Sequence, residues 1–583
     1  MSKRAQEISR RNFLKGGAIA GLAVAATGVM GGCAPKSSST SDSTATTAEE
    51  TKTSWMTEPD KIADSQVTNN VSCNVVIVGS GYAGVTAFRE LAEEGYKPYL
   101  VEKQAEDVYQ ATGNEFAALN PKVLQNLGVP HIDPVEFYQN WMKICGNWAN
   151  QELVMKFAQN SEANSNWYLD QCTTDDIATM TTSFFPHTEH QMDELSGIKF
   201  WSSVCSFYGD CNETKLQKYN RDAAVKAGGT VGWGETAQYV IMEDDKVAGL
   251  MAKTADGYTK YTCKAVVLAC GGFGGNTEML EYFMPDMYHA LVDGESLSSM
   301  SGNDGAGVRM AYWAGAHLET TPVPGMNFRG LSVPGKMNCL PQAVWIDENG
   351  KRFCNEYYPT SEQRGLSTVY KTRKTKFAVI DSNFPTYRQY TLPQHAGFTA
   401  SEANITALQQ SLDKAYQKFK GTYVETATDS SASASQGPVT TIDYIADDTL
   451  EGLGKQMGLT GTALTDFVAQ IQRYNQYCYA GADQEFGRDA KVLFPVDTAP
   501  YYACTFDPVL GETMVTCGGI LTDGNQNAVD KEYEPIPGLY VSGNDCGRRF
   551  GYEYITPIPG MSLGMALTLG RECGKSVGTF LKA

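Results

Sequence analysis

Histidine is scarce in this chain: there are six in 583 residues (His131, His187, His190, His289, His317 and His395), with no metal-ligand spacing of the H-E-x-x-H kind. That argues against a metal centre. The fifteen cysteines contain no C-x-x-C pair, the closest two being Cys205 and Cys211. A zinc ribbon, a dithiol redox motif and a haem held by C-x-x-C-H are thereby excluded. No disulfide framework is indicated, and most of the cysteines read as small buried residues. Positive charge is also short, with 47 Lys and Arg against 66 Asp and Glu and a formal net charge of −19. An acidic balance without a basic patch speaks against a nucleic-acid partner. Long apolar runs are missing too: Gly16–Gly32 is rich in Gly and Ala and too weakly apolar for a good membrane span.

What is present is organised around Cys73–Lys103. Val75-Val76-Ile77-Val78 is a short β-branched run, the pattern of a buried parallel strand. Gly79-Ser80-Gly81-Tyr82-Ala83-Gly84 follows at once as a G-x-G-x-x-G turn. A helical pattern (Val85, Phe88, Leu91, Ala92) comes next and can be capped by Gly95. A second strand, Tyr99-Leu100-Val101, ends in Glu102. In this order the residues bind a dinucleotide. Gly79 makes the tight turn, Gly81 admits a pyrophosphate to the backbone, and Gly84 lets helix and strand approach. The helix N-terminus offers N–H groups and a positive dipole end, and Glu102 accepts from the adenosine ribose. No second such turn follows an appropriate strand, so nicotinamide binding has no support.

The N-terminus is an address. Ser9-Arg10-Arg11-Asn12-Phe13-Leu14-Lys15 is a complete twin-arginine motif, and Cys33 follows Met30-Gly31-Gly32 ahead of a Ser/Thr tract. Residues 1–33 read as a signal with a lipoprotein-type cleavage site, the alternative being ordinary cleavage nearby, and residues 34–70 as a linker. The twin-arginine route carries folded proteins, which suits a chain that takes up its cofactor before crossing. Beyond Glu102, Pro134–Cys172 has helical spacing, Tyr239–Leu250 reads as two strands around Asp244-Asp245, and Ala265–Leu268 as another strand. Thr449–Arg488 is helical with Leu453, Phe467 and Ile471 on its inner face. Residues 427–438 form a low-complexity loop, and Lys371–Lys376 a basic run, read as a solvated edge or a dock for an acidic electron donor.

Four further stretches carry a family resemblance. Ala269-Cys270-Gly271-Gly272-Phe273-Gly274, Gly302-Asn303-Asp304-Gly305, Val344–Glu356 and Ile536–Asn544 resemble, in order, the A-T-G-G-F-G, G-D-G, V-N-x-x-G-K-R-F-x-N-E and P-G-L-Y-A-A-G-E/N segments of the fumarate reductase/succinate dehydrogenase flavoprotein superfamily. The resemblance implies an α/β fold: a Rossmann-like FAD-binding domain (71–290 and 496–583) with an inserted α+β substrate-capping domain (291–495). It implies noncovalent FAD held by the Gly79–Gly84 turn with Glu102, Lys103, Gly113, Ala237, Ala269, Gly271, Gly272, Asp304, Asn544, Ser562 and Leu563. In such proteins the N-terminus of the helix after Pro559-Gly560-Met561-Ser562-Leu563 faces the flavin N1/C2=O edge, where negative charge develops on reduction.

The substrate end departs from fumarate reductases. Their proton-donating Arg, carboxylate-binding His and N-R-L-G-G Arg correspond here to Thr360, Val515 and Pro557, so a small dicarboxylate has no clamp. Tyr554 stands near the place of a tyrosine in 3-oxosteroid dehydrogenases, where it lies two residues closer to the glycine; the chain resembles these, and the exported enone reductases of the same wider group, more than fumarate reductases. A phenol there can give or take a proton beside a carbonyl. Tyr357, Tyr358 and Arg549 are the other candidates, and each tyrosine could equally line the pocket. Three readings stand open: a reductase of an activated C=C bond, fed by a cytochrome, a quinol-linked protein or a flavoprotein; a steroid-type dehydrogenase running in reverse; and a non-catalytic FAD-holding electron-transfer lipoprotein. An enone, cinnamate or stilbene fits the first.

The address is testable. Arg10→Lys with Arg11→Lys should leave the protein in the cytoplasm on fractionation. Cys33→Ala should move it from the membrane to the soluble extracytoplasmic fraction; a variant that stays on the membrane contradicts lipidation there.

Overall fold

The computed structural model describes residues 54–182, 197–285, 288, 298–299, 302–323, 325–327, 337, 340–357, 376–391, 402–424, 444–505, 512–552, 554 and 556–583. The twin-arginine segment, Cys33, Tyr358, Thr360 and the 427–438 stretch lie outside them. Of the basic run only Lys376 is described, and it is buried rather than on a solvated edge.

The apolar run Val75–Val78 is the middle of a six-stranded sheet in the order Asn527–Val529, Pro535–Val541, Ala265–Leu268, Val75–Val78, Pro98–Glu102, Thr230–Trp233. The strands from Pro535–Val541 to Thr230–Trp233 pair in parallel, and Asn527–Val529 is an antiparallel edge. Every side chain of Val75–Val78 and Ala265–Leu268 is buried, which is why neither alternates with polar residues. Helix Tyr82–Glu93 packs on the C-terminal helix Met561–Lys582. Their axes come close because Gly570 and Gly574 share one face; a Cβ at Gly570 would lie 2.5 Å from the Ala83 carbonyl oxygen.

A second sheet runs Val67–Ser72, Gly257–Thr262, Lys246–Thr254, Thr236–Glu243. Asp244 and Asp245 both take positive φ, as a two-residue hairpin turn requires. Val67–Ser72 begins within the stretch read as linker and runs into the FAD-binding segment. It is mostly exposed and polar, and only its parallel pairing with Gly257–Thr262 makes it a strand.

The third main sheet is antiparallel, in the order Val344–Ile346, Phe377–Asp381, Tyr501–Thr505, Ile445–Asp447. One face buries Trp345, Ile380 and Tyr502; the other packs Val379 and Ala503 against Leu453, Phe467 and Ile471 of helices Leu450–Gln456 and Gly461–Ala480. Tyr501–Thr505 therefore joins the capping sheet although it falls after residue 495. Helix Ala306–Trp313, placed by sequence in the capping segment, buries Val308 and Met310 in the core that holds Val76 and Val266. The chain crosses between lobes where its periodicity does not change, so neither crossing has a sequence signal.

Within the segment read as the capping domain, Arg352 has a fully buried side chain. It donates to both oxygens of Glu356 at 2.8 Å and to Asp483 at 3.1 Å. Arg488, also buried, lies 3.5 Å from Glu356. Removing one partner of such a pair strands buried charge, whereas the whole network is close to neutral against an apolar core. Arg352→Met should therefore cost about 3–5 kcal/mol in urea unfolding, and a loss below about 1 kcal/mol would contradict a desolvated network.

Candidate active site

Close backbone approaches shape the first turn. Gly79 takes φ +99°, and a Cβ there would meet the Ala269 carbonyl oxygen at 2.4 Å. A Cβ on Gly84 would meet the Gly79 carbonyl oxygen at 1.8 Å, the close helix–strand approach that the pattern implies. At Gly81 an added Cβ meets no protein atom within 4 Å, leaving the backbone open as a phosphate cradle. Glu102 is buried; its Oε2 accepts from the Ser80 N–H at 2.9 Å and its Oε1 from the Gln104 N–H at 2.9 Å. Arg221, which has no motif around it, donates to Ser80 Oγ at 3.1 Å and stacks on Tyr109. Lys103 donates to the Gly302 carbonyl. Ala237 is the second residue of strand Thr236–Glu243, which follows Glu235, whose N–H donates to the Glu102 carbonyl. Gly113 is pressed against Leu563, where a Cβ would lie 2.3 Å from Cδ1.

The second turn is held by a residue that sequence reasoning passed over. Asp545 is fully buried. Its Oδ2 accepts from the Cys270 N–H at 2.5 Å and its Oδ1 from the Gly272 N–H at 2.9 Å, and the Gly271 N–H adds to them. Burial pushes its pKa up to about 6, while those amides and the Arg549 charge pull the other way. Gly307, in the first turn of helix Ala306–Trp313, comes so near that a Cβ would lie 2.4 Å from Oδ2, so this helix N-terminus also faces the carboxylate. Asn303 donates to the Gly271 carbonyl and Gly305 to that of Gly272, hanging the 302–305 loop on the same turn. Asp304 itself accepts from the Ala306 N–H and pairs with Arg309 at the surface.

At the end of the chain the structure brings Asn544, Arg549, Tyr554 and Ser562 together. Asn544 Oδ1 accepts from Arg549 Nη2 at 2.7 Å and from Ser562 Oγ at 3.2 Å. The Tyr554 hydroxyl accepts from the Ser562 N–H at the N-terminus of helix Met561–Lys582, and its ring stacks on Phe550 at 5.1 Å. Burial drives the Tyr554 pKa well up, so the phenol keeps its proton. Arg549 is buried, and among the described residues no carboxylate pairs with it and its Nη1 has no hydrogen-bond partner. An orphaned buried N–H on a cation fits a ligand that presents electron-rich oxygen or nitrogen, as the pyrimidine edge of a flavin does. The open Gly81 cradle and this cluster together fit FAD.

Tyr357 is placed differently. Its hydroxyl donates to the Tyr390 carbonyl in an aromatic cluster with Tyr387 and Phe494, inside the capping lobe. Glu319 has no sequence signal at all. It is buried, accepts from the Arg548 N–H at 3.1 Å and the Gly519 N–H at 3.4 Å, and burial raises its pKa to about 7. It supports the Thr516-Cys517-Gly518-Gly519 turn beside Asn544. Among the described residues no group of three metal-ligating side chains occurs, and no helix is long and apolar enough to cross a membrane.

Comparison with known proteins agrees with this geometry. A twin-arginine translocation signal matches residues 7–27, marking the chain for export. The chain is similar to a vinyl phenol reductase of Lactiplantibacillus plantarum (22% identical, over 86% of this chain and 96% of that protein) and to a digoxin reductase of Eggerthella lenta (24%, over 98% and 97%). Its fold is that of a 3-ketosteroid-Δ4-(5α)-dehydrogenase of Rhodococcus jostii (TM-score 0.63, 21% identical, 88% of this chain and 99% of that one) and of a flavocytochrome c3 fumarate reductase (TM-score 0.55, 19% identical, 91% and 83%). The family described as FAD binding domain matches residues 74–563, and the chain belongs to it: an exported FAD-dependent oxidoreductase of the fumarate reductase-like kind, acting on CH–CH groups.

Proposed function

We propose that this enzyme reduces the activated C=C bond of a small neutral or phenolic molecule, with electrons drawn from an external cytochrome, quinol-linked protein or flavoprotein. The observation that carries the reading is the buried Tyr554–Ser562–Asn544–Arg549 cluster in a chain with no charged clamp at positions 515 and 557. FAD, which the Gly79–Gly84 turn and the Asn544–Arg549–Ser562 cluster would hold, would supply hydride chemistry to the double bond. Tyr554, kept protonated by burial, delivers the proton to a carbon of that bond. The Leu563 amide at the helix N-terminus, with the Nη1 of Arg549, stabilises negative charge beside it. The vinyl phenol reductase and digoxin reductase to which the chain is similar support a substrate other than a dicarboxylate; fumarate reductases are similar to it as well, and the missing charged clamp is what separates the chain from them.

Anaerobic assays with reduced methyl viologen should show reduction of vinylphenols, enones, cinnamates or stilbenes and no reduction of fumarate. Fumarate turnover matching the best of these would overturn the reading. Tyr554→Phe should retain FAD and lose turnover by roughly 10²–10⁴-fold, the share of a positioned general acid. Turnover at the wild-type rate would reduce Tyr554 to pocket lining and shift the proton to Arg549, Tyr357 or Tyr358.

A further inference from the structure

Two stretches of the chain enter the FAD-binding sheet in the same way. Ser72-Cys73-Asn74 leads from the second sheet into Val75–Val78, and Thr262-Cys263-Lys264 leads from the same second sheet into Ala265–Leu268. The strands on both sides of these connectors pair in parallel, and the register does not change across them: Ser72 stands opposite Thr262 before, and Val75 opposite Ala265 after. Cys73 is thereby set directly opposite Cys263. The backbone confirms it, with the Cys73 N–H donating to the Thr262 carbonyl at 3.1 Å. The two side chains lie near enough for each thiol to shift the other's titration. Facing residues of neighbouring strands lie about 5 Å apart at Cα, inside the 4.4–6.8 Å that a disulfide spans.

We propose that Cys73 and Cys263 form a disulfide after export, stapling the strand that carries the phosphate-binding turn to the strand that carries the Ala269–Gly272 turn. The chain is addressed outside the reducing cytoplasm. Because the register alone positions the sulfurs, the protein can fold as the dithiol and oxidise later without rearrangement. The pair is also asymmetric, as exchange chemistry needs. Cys73 is half-buried and within reach of a reagent, whereas Cys263 is buried. The Cys263 thiol lowers the Cys73 pKa, opposed by burial and helped by the Val75 N–H, so thiolate forms at the reachable sulfur.

The step balances by thiol–disulfide exchange. The Cys73 thiolate attacks an external disulfide, releasing one thiol and leaving a mixed disulfide. Cys263 then gives up its proton and displaces the second thiol, so two electrons pass from the pair to the external disulfide. Closing so long a loop constrains the unfolded chain strongly.

Full-length protein recovered from the extracytoplasmic fraction, and reduced protein treated with oxidised glutathione, would be denatured without reductant, alkylated and digested. A peptide joining Cys73 to Cys263, with these two cysteines escaping alkylation, is expected. The oxidised protein should melt several degrees above the same sample treated with a phosphine reductant. Cys73→Ser and Cys263→Ser, if folded by circular dichroism, should abolish that difference. Complete alkylation of both cysteines after glutathione treatment, or a bond from Cys73 to a different cysteine, would overturn the proposal. Should neither serine variant fold, the peptide map of the wild type still decides it.

Discussion

Both oxygens of a single buried carboxylate, that of Asp545, are occupied by backbone amides of a turn that lies 275 residues earlier in the chain. This contact ties the C-terminal segment to the middle of the FAD-binding sheet, and most of the site is built outward from it. The turn it fixes places the Ala269 carbonyl against Gly79, which shapes the phosphate-binding turn. The same turn carries the 302–305 loop through Asn303 and Gly305. One residue before Asp545, Asn544 gathers Arg549 and Ser562. A buried carboxylate is costly unless its charge is met by donors, and here amides, a helix N-terminus and the Arg549 field together meet it.

The chemistry of the far end follows from what surrounds that anchor. Fumarate reductase-like proteins with a charged clamp can grip a dicarboxylate; this chain instead leaves the buried Nη1 of Arg549 unpaired among the described residues, beside the helix N-terminus. Tyr554 rests on that same helix end, its hydroxyl accepting from Ser562 and its ring on Phe550. A neutral donor and a fixed positive field are thus adjacent, an arrangement suited to moving a proton and sheltering an anion without binding a charged substrate.

Local patterns were legible where local physics decides the outcome. The strand, glycine turn, helix, strand and acid of residues 75–102 have one geometry open to them, and the structure has it. The hairpin at Asp244-Asp245 and the helices of 450–480 followed from turn chemistry and periodicity in the same way. Asp545 was not legible, although its neighbour Asn544 was picked out, because its partners are backbone amides that carry no sequence identity. Arg221 and Glu319 escaped for a related reason: each acts through a contact distant in sequence, on Ser80 and on the Gly519 and Arg548 amides. The packing of Ala306–Trp313 in the core of Val76 and Val266, and of Tyr501–Thr505 in the sheet of Val344–Ile346, was not legible because an apolar run looks the same whichever core receives it.

The dependence on Asp545 can be measured directly with Asp545→Asn, a substitution of equal shape that offers one acceptor oxygen where two amides on opposite oxygens need one each. Leaving a buried amide unpaired costs about 1–3 kcal/mol. The folded variant should therefore bind FAD about tenfold or more weakly in a fluorescence titration and be purified largely colourless. A variant that is purified with stoichiometric FAD and the wild-type Kd would contradict the account.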